Sequence, residues 1–305
     1  MSLSLQRGNQ LVHHFKISGV VVLYNPEKNV ITNIQSYIHQ VDILYAVDNS
    51  EEINPSIIEQ IKKIKKVVYI SNGDNCGVAK ALNVGAEKSI EQGGELLLTM
   101  DQDSKATPDM VAKMLECIKG NKVSSIGLIA PFHLYKKTLK MPKGEPCQKV
   151  LTVMTSGNLL SLNAYKKVGP FMDPLFIDHV DHEYCLRLNL NGFRVIQANN
   201  VILEHHLGSV SSCKLLFHEL DFIVHDHIRF YYKTRNGFYV ANKYKKIYPE
   251  FYRRFLKLFI KDIVKVFLLK NDRLKNLQMI IRGYKDFRKG ILGSLEKTSK
   301  NAKKI

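Results

Sequence analysis

The sequence predicts an α/β fold: a mostly parallel sheet flanked by helices, followed by a helical C-terminal extension. Strand-like and helix-like segments alternate four times at short spacing between residues 18 and 100, as expected when βα units cover both faces of one sheet. The fourth strand-like run, Leu96-Leu97-Leu98-Thr99-Met100, follows a Gly93-Gly94 break and ends in Asp101-Gln102-Asp103. Charge is divided unevenly. From Lys243 to Ile305 there are 19 Lys and Arg against 5 Asp and Glu, and before that 26 against 23. A nearly neutral body, residues 1–242, is therefore set apart from a basic extension, residues 243–305.

The apolar run Gly19–Tyr24, closed by the turn signal Asn25-Pro26, is the first predicted strand. A helix follows near residues 30–39, and Asp42–Asp48 is a second strand that also ends in an acid. Residues 55–66 predict a surface helix carrying Lys62, Lys63, Lys65 and Lys66. Val67–Ile70 is the third strand, Ser71–Gly77 a polar loop and Val78–Gln92 a helix. Beyond the fourth strand, residues 107–119 predict a helix with Pro108 near its start. A strand is expected over 126–132, a lysine-rich loop over 133–150 and strand character over 152–162. A helix over 178–191 and a strand over 193–198 complete the body.

With 305 residues, 45% of them hydrophobic, the chain can bury a substantial core as one large domain or two small ones. No apolar run of about 18 residues predicts a membrane span, and the N-terminus lacks a basic-then-apolar signal pattern. A cytoplasmic location is expected. The five cysteines, Cys76, Cys117, Cys147, Cys185 and Cys213, form no Cys-x-x-Cys pair. Neither a zinc knuckle nor a disulfide framework is expected, and they read as small apolar residues of a reducing compartment. No Gly-x-Gly-x-x-Gly follows the first strand and no Gly-Lys-Ser/Thr loop occurs, which argues against a standard dinucleotide site or a P-loop. The net charge of +17 raises nucleic-acid binding, but its segregation away from the acidic segments argues against such a partner.

Open α/β sheets hold their ligands beyond the carboxyl ends of the strands, where Asp101 and Asp103 fall. Two such carboxylates can hold a divalent cation that grips a diphosphate, or they can be solvated turn residues. Six further segments stand out: Val21-Val22-Leu23-Tyr24-Asn25-Pro26, Val47-Asp48-Asn49-Ser50, the stretch from Asn72 through Asn75, Gly77, Lys80 and Asn83 to Gly85, Thr155-Ser156-Gly157-Asn158, Phe176-Ile177-Asp178-His179-Val180-Asp181-His182-Glu183-Tyr184-Cys185-Leu186-Arg187, and Leu203-Glu204-His205-His206-Leu207-Gly208. Taken singly, each has a plain structural reading. Asp48 is a turn or cap residue, Lys80 a solvated lysine, and the acid cluster a negatively charged first turn of a helix.

Taken in order over roughly residues 17–240, these segments resemble the family 2 glycosyltransferases, which have a GT-A fold and invert the sugar they transfer. Within that family the chain looks most like the bacterial rhamnosyltransferases of O-antigen and other surface polysaccharides. The resemblance implies a donor site in which the backbone at Tyr24 and Asn25 borders the nucleotide. Asp48 would accept a hydrogen bond from the pyrimidine base. Asn75 would belong to the nucleotide site, Gly77 would let the backbone pass close to the nucleotide, and Lys80 would reach a phosphate. Asp103 is expected to ligate Mn²⁺ or Mg²⁺ directly, with Asp101 on the ribose or the waters of the metal, and His205 as a further metal or diphosphate ligand. Ser156, Gly157 and Asn158 would border the acceptor. Asp181 falls on the catalytic base, Glu183 on a structural or helix-start contact, and Asp178 is a weaker candidate for the base. The segment Arg229-Phe230-Tyr231-Tyr232-Lys233-Thr234-Arg235-Asn236 also resembles the family, with Arg235 on phosphate or locking a mobile loop. Where the family often has Trp in the acidic motif this chain has Tyr184, and it has no Trp at all, so the resemblance says little about acceptor choice.

The implied partners are a nucleotide-sugar donor, dTDP-L-rhamnose or a UDP-sugar, and a glycan acceptor on a lipid carrier. A nucleotidyltransferase would share the metal-bound acids but has no use for Asp181. The basic extension has its own pattern. Phe251, Phe255, Leu258, Phe259, Ile263, Val266 and Phe267 form one helical stripe, with Arg253, Arg254, Lys257, Lys261 and Lys265 opposite. Such a helix either packs its stripe on the body or lies on an anionic membrane surface. The second option would place the protein on the inner membrane face, and a membrane-surface module without activity is the non-enzyme alternative.

Overall fold

The computed structural model describes residues 14–118, 123–134, 144–205, 210–215, 218–223, 227–268 and 272–295. The first half alternates as expected: β1 (Ile17–Leu23), α1 (Asn29–Tyr37), β2 (Ile43–Asp48), α2 (Pro55–Lys62), β3 (Val67–Ser71), α3 (Gly77–Glu91) and β4 (Leu96–Asp101). Next come β5 (Ser104–Ala106), α4 (Met110–Glu116), β6 (Ile126–Leu134), β7 (Cys147–Lys149), β8 (Asn158–Ser161), α5 (Leu162–Val168), α6 (Val180–Leu190) and β9 (Arg194–His205). A hairpin of β10 (Val210–Leu215) and β11 (His218–Ile223) precedes α7 (His227–Tyr244), α8 (Pro249–Leu268) and α9 (Arg273–Arg288).

The main sheet runs β3-β2-β1-β4-β8-β6-β9-β5, with β7 also on β9. The strands β3, β2, β1 and β4 are mutually parallel, and β8 joins antiparallel to β4. Both faces of the parallel block are covered. In β1, Val20 and Val22 point into a core shared with α3, α6 and α7, while Ile17, Val21 and Leu23 point into one shared with α1, α2 and α4. That two-sided burial is why the second half of β1, Val20–Leu23, is continuously apolar rather than alternating.

Several elements differ from expectation for identifiable reasons. Strand character over 152–162 is realised only as β8, because the Ser161 hydroxyl accepts from the backbone N–H of Ala164 and starts α5. The stretch over 133–150 contributes the end of β6 and all of β7, while its residues 135–143 lie outside the described part. The expected strand at 193–198 continues to His205 because β6, β7 and β5 all pair with it. The position 242, where the charge balance changes, falls just inside the end of α7.

The cysteine expectation is corrected: Cys117 and Cys147 form a disulfide, with Cα atoms 5.5 Å apart. They are 30 residues apart in the chain. Only the packing of α4 on β9 and the pairing of β7 with β9 bring them together, so no sequence spacing announces the bond. Cys76 and Cys185 are free thiols. The apolar stripe of α8 also divides. Phe251, Phe255 and Val266 are buried and Phe259 partly so, whereas Leu258 and Phe267 are exposed. Among the described residues no helix is long and apolar enough to cross a membrane.

Closing a loop of this length should contribute about 3–4 kcal/mol through the unfolded chain. Cys147→Ser, or a reductant, is expected to lower stability by up to that amount in denaturant titrations, with no further loss when reductant is added to the variant.

Candidate active site

The strand order places β1 between β2 and β4, so the chain reverses its direction of growth at the β1–β4 edge, where open α/β sheets form their ligand crevice. Register fixes what lies there. Asp48 pairs with Leu23 and Asp101 with Val22, so the two acids flank the end of β1 from opposite sides. Gln102, between the two acids of β4, holds the chain after β1. Its side-chain carbonyl accepts from the Tyr24 N–H at 2.9 Å and its amide donates to the Tyr24 carbonyl at 3.0 Å. The Asp101 N–H donates to the Ser156 hydroxyl at 3.1 Å, and that hydroxyl donates to Ser104. β5 then pairs Ser104 with His205, which sets the backbone of His205 beside the turn containing Asp103. The His205 side chain lies outside the described residues.

Ahead of α6 the backbone is strained. Phe176, Asp178 and His179 all have φ between 60° and 66°, a left-handed conformation that costs non-glycine residues roughly 1–3 kcal/mol each. The strain is held by α7. The Asn236 amide donates to the carbonyls of Leu175, Ile177 and Asp178 at 2.7, 2.7 and 3.1 Å. Arg235, fully buried between the rings of Tyr231 and Tyr232, donates to the carbonyls of Pro174, Leu175 and Gly293. The C-terminal turn closes the clamp, with the Gly293 N–H donating to the Pro174 carbonyl at 2.7 Å.

The three acids of this segment then divide. Asp178 is bound by Arg229 at 2.7 Å. Burial alone would raise its carboxyl, but the Arg229 charge outweighs that and holds it below the usual range. Burial likewise works against the Arg229 charge, while Asp178, and then Asp101 and Asp103, raise its pKa, so this guanidinium lies in the field of both sets of acids. Glu183 is buried against Arg187, Lys243 and the Tyr244 hydroxyl at 2.9–3.0 Å. Burial favours its protonation, yet the two cations keep it ionised. Asp181 makes no ion pair among the described residues. Its carboxylate accepts from the adjacent His182 N–H at 2.7 Å in the first turn of α6, and it lines a cavity of about 10 Å³ with Thr99, Thr155, Asn158 and Tyr184.

Other sequence candidates are placed differently from expectation. The close approach that Gly77 permits (φ +82°) is taken on its Cβ side by Phe176, whose ring, carbonyl oxygen and Cα would all meet a Cβ there at under 3 Å. At Gly157 (φ +76°) a Cβ would meet Pro131 and Leu203. Asp48 is fully enclosed, accepting from the Ser50 N–H and hydroxyl and from the Tyr69 hydroxyl, so a base reaches it only if one of those groups turns away. Arg235 is fully enclosed in the clamp, bonded to backbone carbonyls. Lys80 is half-exposed, 3.9 Å from Asp173. Asn75 accepts from the Gly77 N–H and shapes the start of α3. Tyr24 and Asn25 remain exposed at the crevice, and Ser156 and Asn158 are buried beneath it. Sequence reasoning assigned nothing to Arg229, Asn236 or Gln102. No spacing signal links Arg229 to an acid fifty positions earlier.

Oxygen donors such as Asp101 and Asp103 suit a hard divalent cation. Among the described residues no group of three or more His, Cys, Asp or Glu gathers to hold one, so the described side chains offer a partial ligand set that a diphosphate could complete.

Removing the Asn236 amide takes its donor from the carbonyls of Ile177 and Asp178 and one of several donors from that of Leu175. Asn236→Ala is expected to cost about 2–4 kcal/mol in chemical denaturation. A pH dependence follows from His179. Burial first, and then the neighbouring His182 ring with Nδ1 atoms 3.0 Å apart, lower its pKa from 6.5 to about 3. The unfolded chain takes up this proton below about pH 6.5 and the folded one only near 3, so stability falls as pH drops through that window. His179→Asn, which keeps a residue tolerant of left-handed backbone, is expected to flatten the slope by up to about 1.4 kcal/mol per pH unit.

The comparisons with known proteins agree with this architecture. Residues 18–169 match the family model described as Glycosyl transferase family 2. The dTDP-rhamnosyl transferase RfbF of Shigella flexneri is 30% identical over 247 residues, 74% of this chain and 80% of that protein. A UDP-N-acetylglucosamine–dolichyl-phosphate N-acetylglucosaminyltransferase of Methanococcus voltae is 30% identical over 116 residues, 32% of this chain and 45% of that one. Among solved structures, GalNAc-T7 with UDP, GalNAc and Mn²⁺ superposes with a TM-score of 0.53 at 15% identity, covering 63% of this chain and 44% of that one. S. aureus TarS superposes with a TM-score of 0.51 at 14% identity, covering 87% and 42%. The chain thus spans less than half the length of these two structures, and at such identity they speak to the fold alone, that of the GT-A glycosyltransferases. With the RfbF match over most of both chains, the protein belongs to glycosyltransferase family 2.

Proposed function

We propose that the chain transfers rhamnose from dTDP-L-rhamnose, with inversion, to a growing surface-polysaccharide or O-antigen acceptor carried on lipid at an anionic membrane face. Residues 1–242 are read as the transferase unit and 243–305 as its basic extension. The observation that carries the chemistry is the division of the acids. Asp178 and Glu183 are tied to cations, and Asp181 has no ion pair among the described residues and lies beside a cavity reaching β4. A carboxylate in that state can take the proton of an acceptor hydroxyl. The acceptor oxygen then forms its bond to the anomeric carbon, the bond from that carbon to the diphosphate breaks, and its electron pair leaves on the phosphate oxygen.

Asp103 and Asp101, with His205 completing the set, are the residues that would hold Mn²⁺ or Mg²⁺. Bound there, the cation would offset the charge that grows on the departing diphosphate. Tyr24, Asn25 and Lys80 line the approach to the donor, and Arg229 binds Asp178 in the turn ahead of α6 within the field of the β4 acids. Support for the sugar comes from the named activity of the Shigella relative, and for a divalent cation from the Mn²⁺ in the GalNAc-T7 structure. A UDP-sugar donor is the second reading, favoured by the archaeal relative that uses UDP-N-acetylglucosamine and by a UDP complex of TarS.

Thermal shift with dTDP-rhamnose, UDP-glucose and UDP-GlcNAc, each with and without Mn²⁺, separates the readings. A ligand at about 100 times its Kd adds roughly 2.7 kcal/mol. A metal-dependent shift with dTDP-rhamnose is expected, and a shift with UDP-sugars alone would replace the donor. Asp181→Asn is expected to keep donor binding while transfer falls roughly 10²–10⁴-fold; full activity would remove Asp181 from the mechanism.

A further inference from the structure

The face of α8 turned away from the body has a composition its packed face does not explain. The inner face is accounted for: Phe255 and Phe259 meet Phe238 of α7 edge-on, 5.1 and 4.9 Å between ring centres, and Phe251 meets His182. On the outside, Arg253, Lys257, Ile260, Val264 and Phe267 follow one another at spacings of four and three, which puts them in one row along the helix. Ile260, Val264 and Phe267 are 61%, 51% and 56% exposed. Lys261 lies beside the row, and Arg253, Arg254, Lys257 and Lys261 are all exposed. Only Phe267 of this row belongs to the stripe that the sequence pattern selects, most of which is covered.

We propose that this outer row of α8 seats the protein on an anionic lipid bilayer, with Ile260, Val264 and Phe267 in the acyl boundary and Arg253, Lys257 and Lys261 at the headgroups. Cations grouped at one end of a row of exposed apolar side chains match a surface that offers both negative charge and hydrocarbon. A nucleic-acid backbone would use the cations and leave the apolar residues in water. A second copy of this cationic face would meet like charge. The proposal rests on the reading of a membrane-borne acceptor for its purpose, and the contact itself needs neither donor nor acceptor.

The chain has no Trp, so one introduced Trp reports alone. Full-length Ile260→Trp is mixed with phosphatidylglycerol/phosphatidylcholine vesicles and with phosphatidylcholine vesicles, beside Val68→Trp on the edge strand β3 as an exposed control. The expected result is a blue shift and quenching by brominated lipid for position 260 only, and only with the anionic vesicles. Replacing Arg253, Lys257 and Lys261 by Gln in that background should weaken partition about fivefold per cation, roughly 100-fold together. No shift at 260, an equal shift at 68, a shift that rises with protein concentration without lipid, or a response to heparin alone would each overturn the proposal. Calorimetry of nucleotide-sugar binding on the same proteins keeps the two readings apart: donor binding without vesicle binding removes the membrane contact and leaves the transferase.

Discussion

The structure depends most on one amide. Asn236 draws the carbonyls of Leu175, Ile177 and Asp178 toward itself, and the backbone can present all three only by passing through left-handed conformations at Phe176, Asp178 and His179. Such a turn is unstable in isolation and persists where its surroundings over-determine it. Arg235, Gly293 and the Val78 N–H, which donates to the Phe176 carbonyl at 2.7 Å, supply those further constraints. A single short loop therefore joins the start of α3, the start of α6, the middle of α7 and the C-terminal turn. The Cα of Phe176 sits where a side chain at residue 77 would be, which is why glycine stands there.

The consequence for the site is electrostatic. With the turn held, Asp178 faces Arg229, and Glu183 faces Arg187 and Lys243, while Asp181, between them in sequence, projects to a different side of the helix start. Buried carboxylates must be paired to stay charged, and the two that are most enclosed are the two that have cations. On the other wall, Gln102 fixes the spacing between the end of β1 and the acids of β4. Arg229 feels both walls, so the strand-end acids and the helix-start acids share one field though they are separated by some eighty residues.

The C-terminal helices belong to this arrangement rather than trailing from it. α7 carries the clamp, α9 packs along α7, and the Tyr231 hydroxyl, which accepts from Arg235, donates to Asp286 of α9 at 2.8 Å. The aromatic cluster of Phe238, Phe255, Phe259, Tyr284 and Phe287 ties all three helices together.

Much was legible in the sequence because it is local. Alternating periodicity located β1 through β4 and the helices between them, and the ends of β2 and β4 placed Asp48 and Asp101 at one sheet edge. Ordered motifs were enough to reach the family, since each is a short run whose meaning does not depend on distant residues. What the sequence could not carry is pairing between distant positions. The groups packed against Gly77 and Gly157 are decided by tertiary packing: Phe176 in one case and Pro131 with Leu203 in the other. The Cys117–Cys147 bond and the partners of Arg229 and Arg235 arise for the same reason. The stripe of α8 was visible as amphipathic, yet which of its apolar residues stay in water was settled by where α7 and α9 lie against it. Periodicity determined which residues share a face, and only the assembled helices decided which face is covered, because burial depends on the neighbour as much as on the residue.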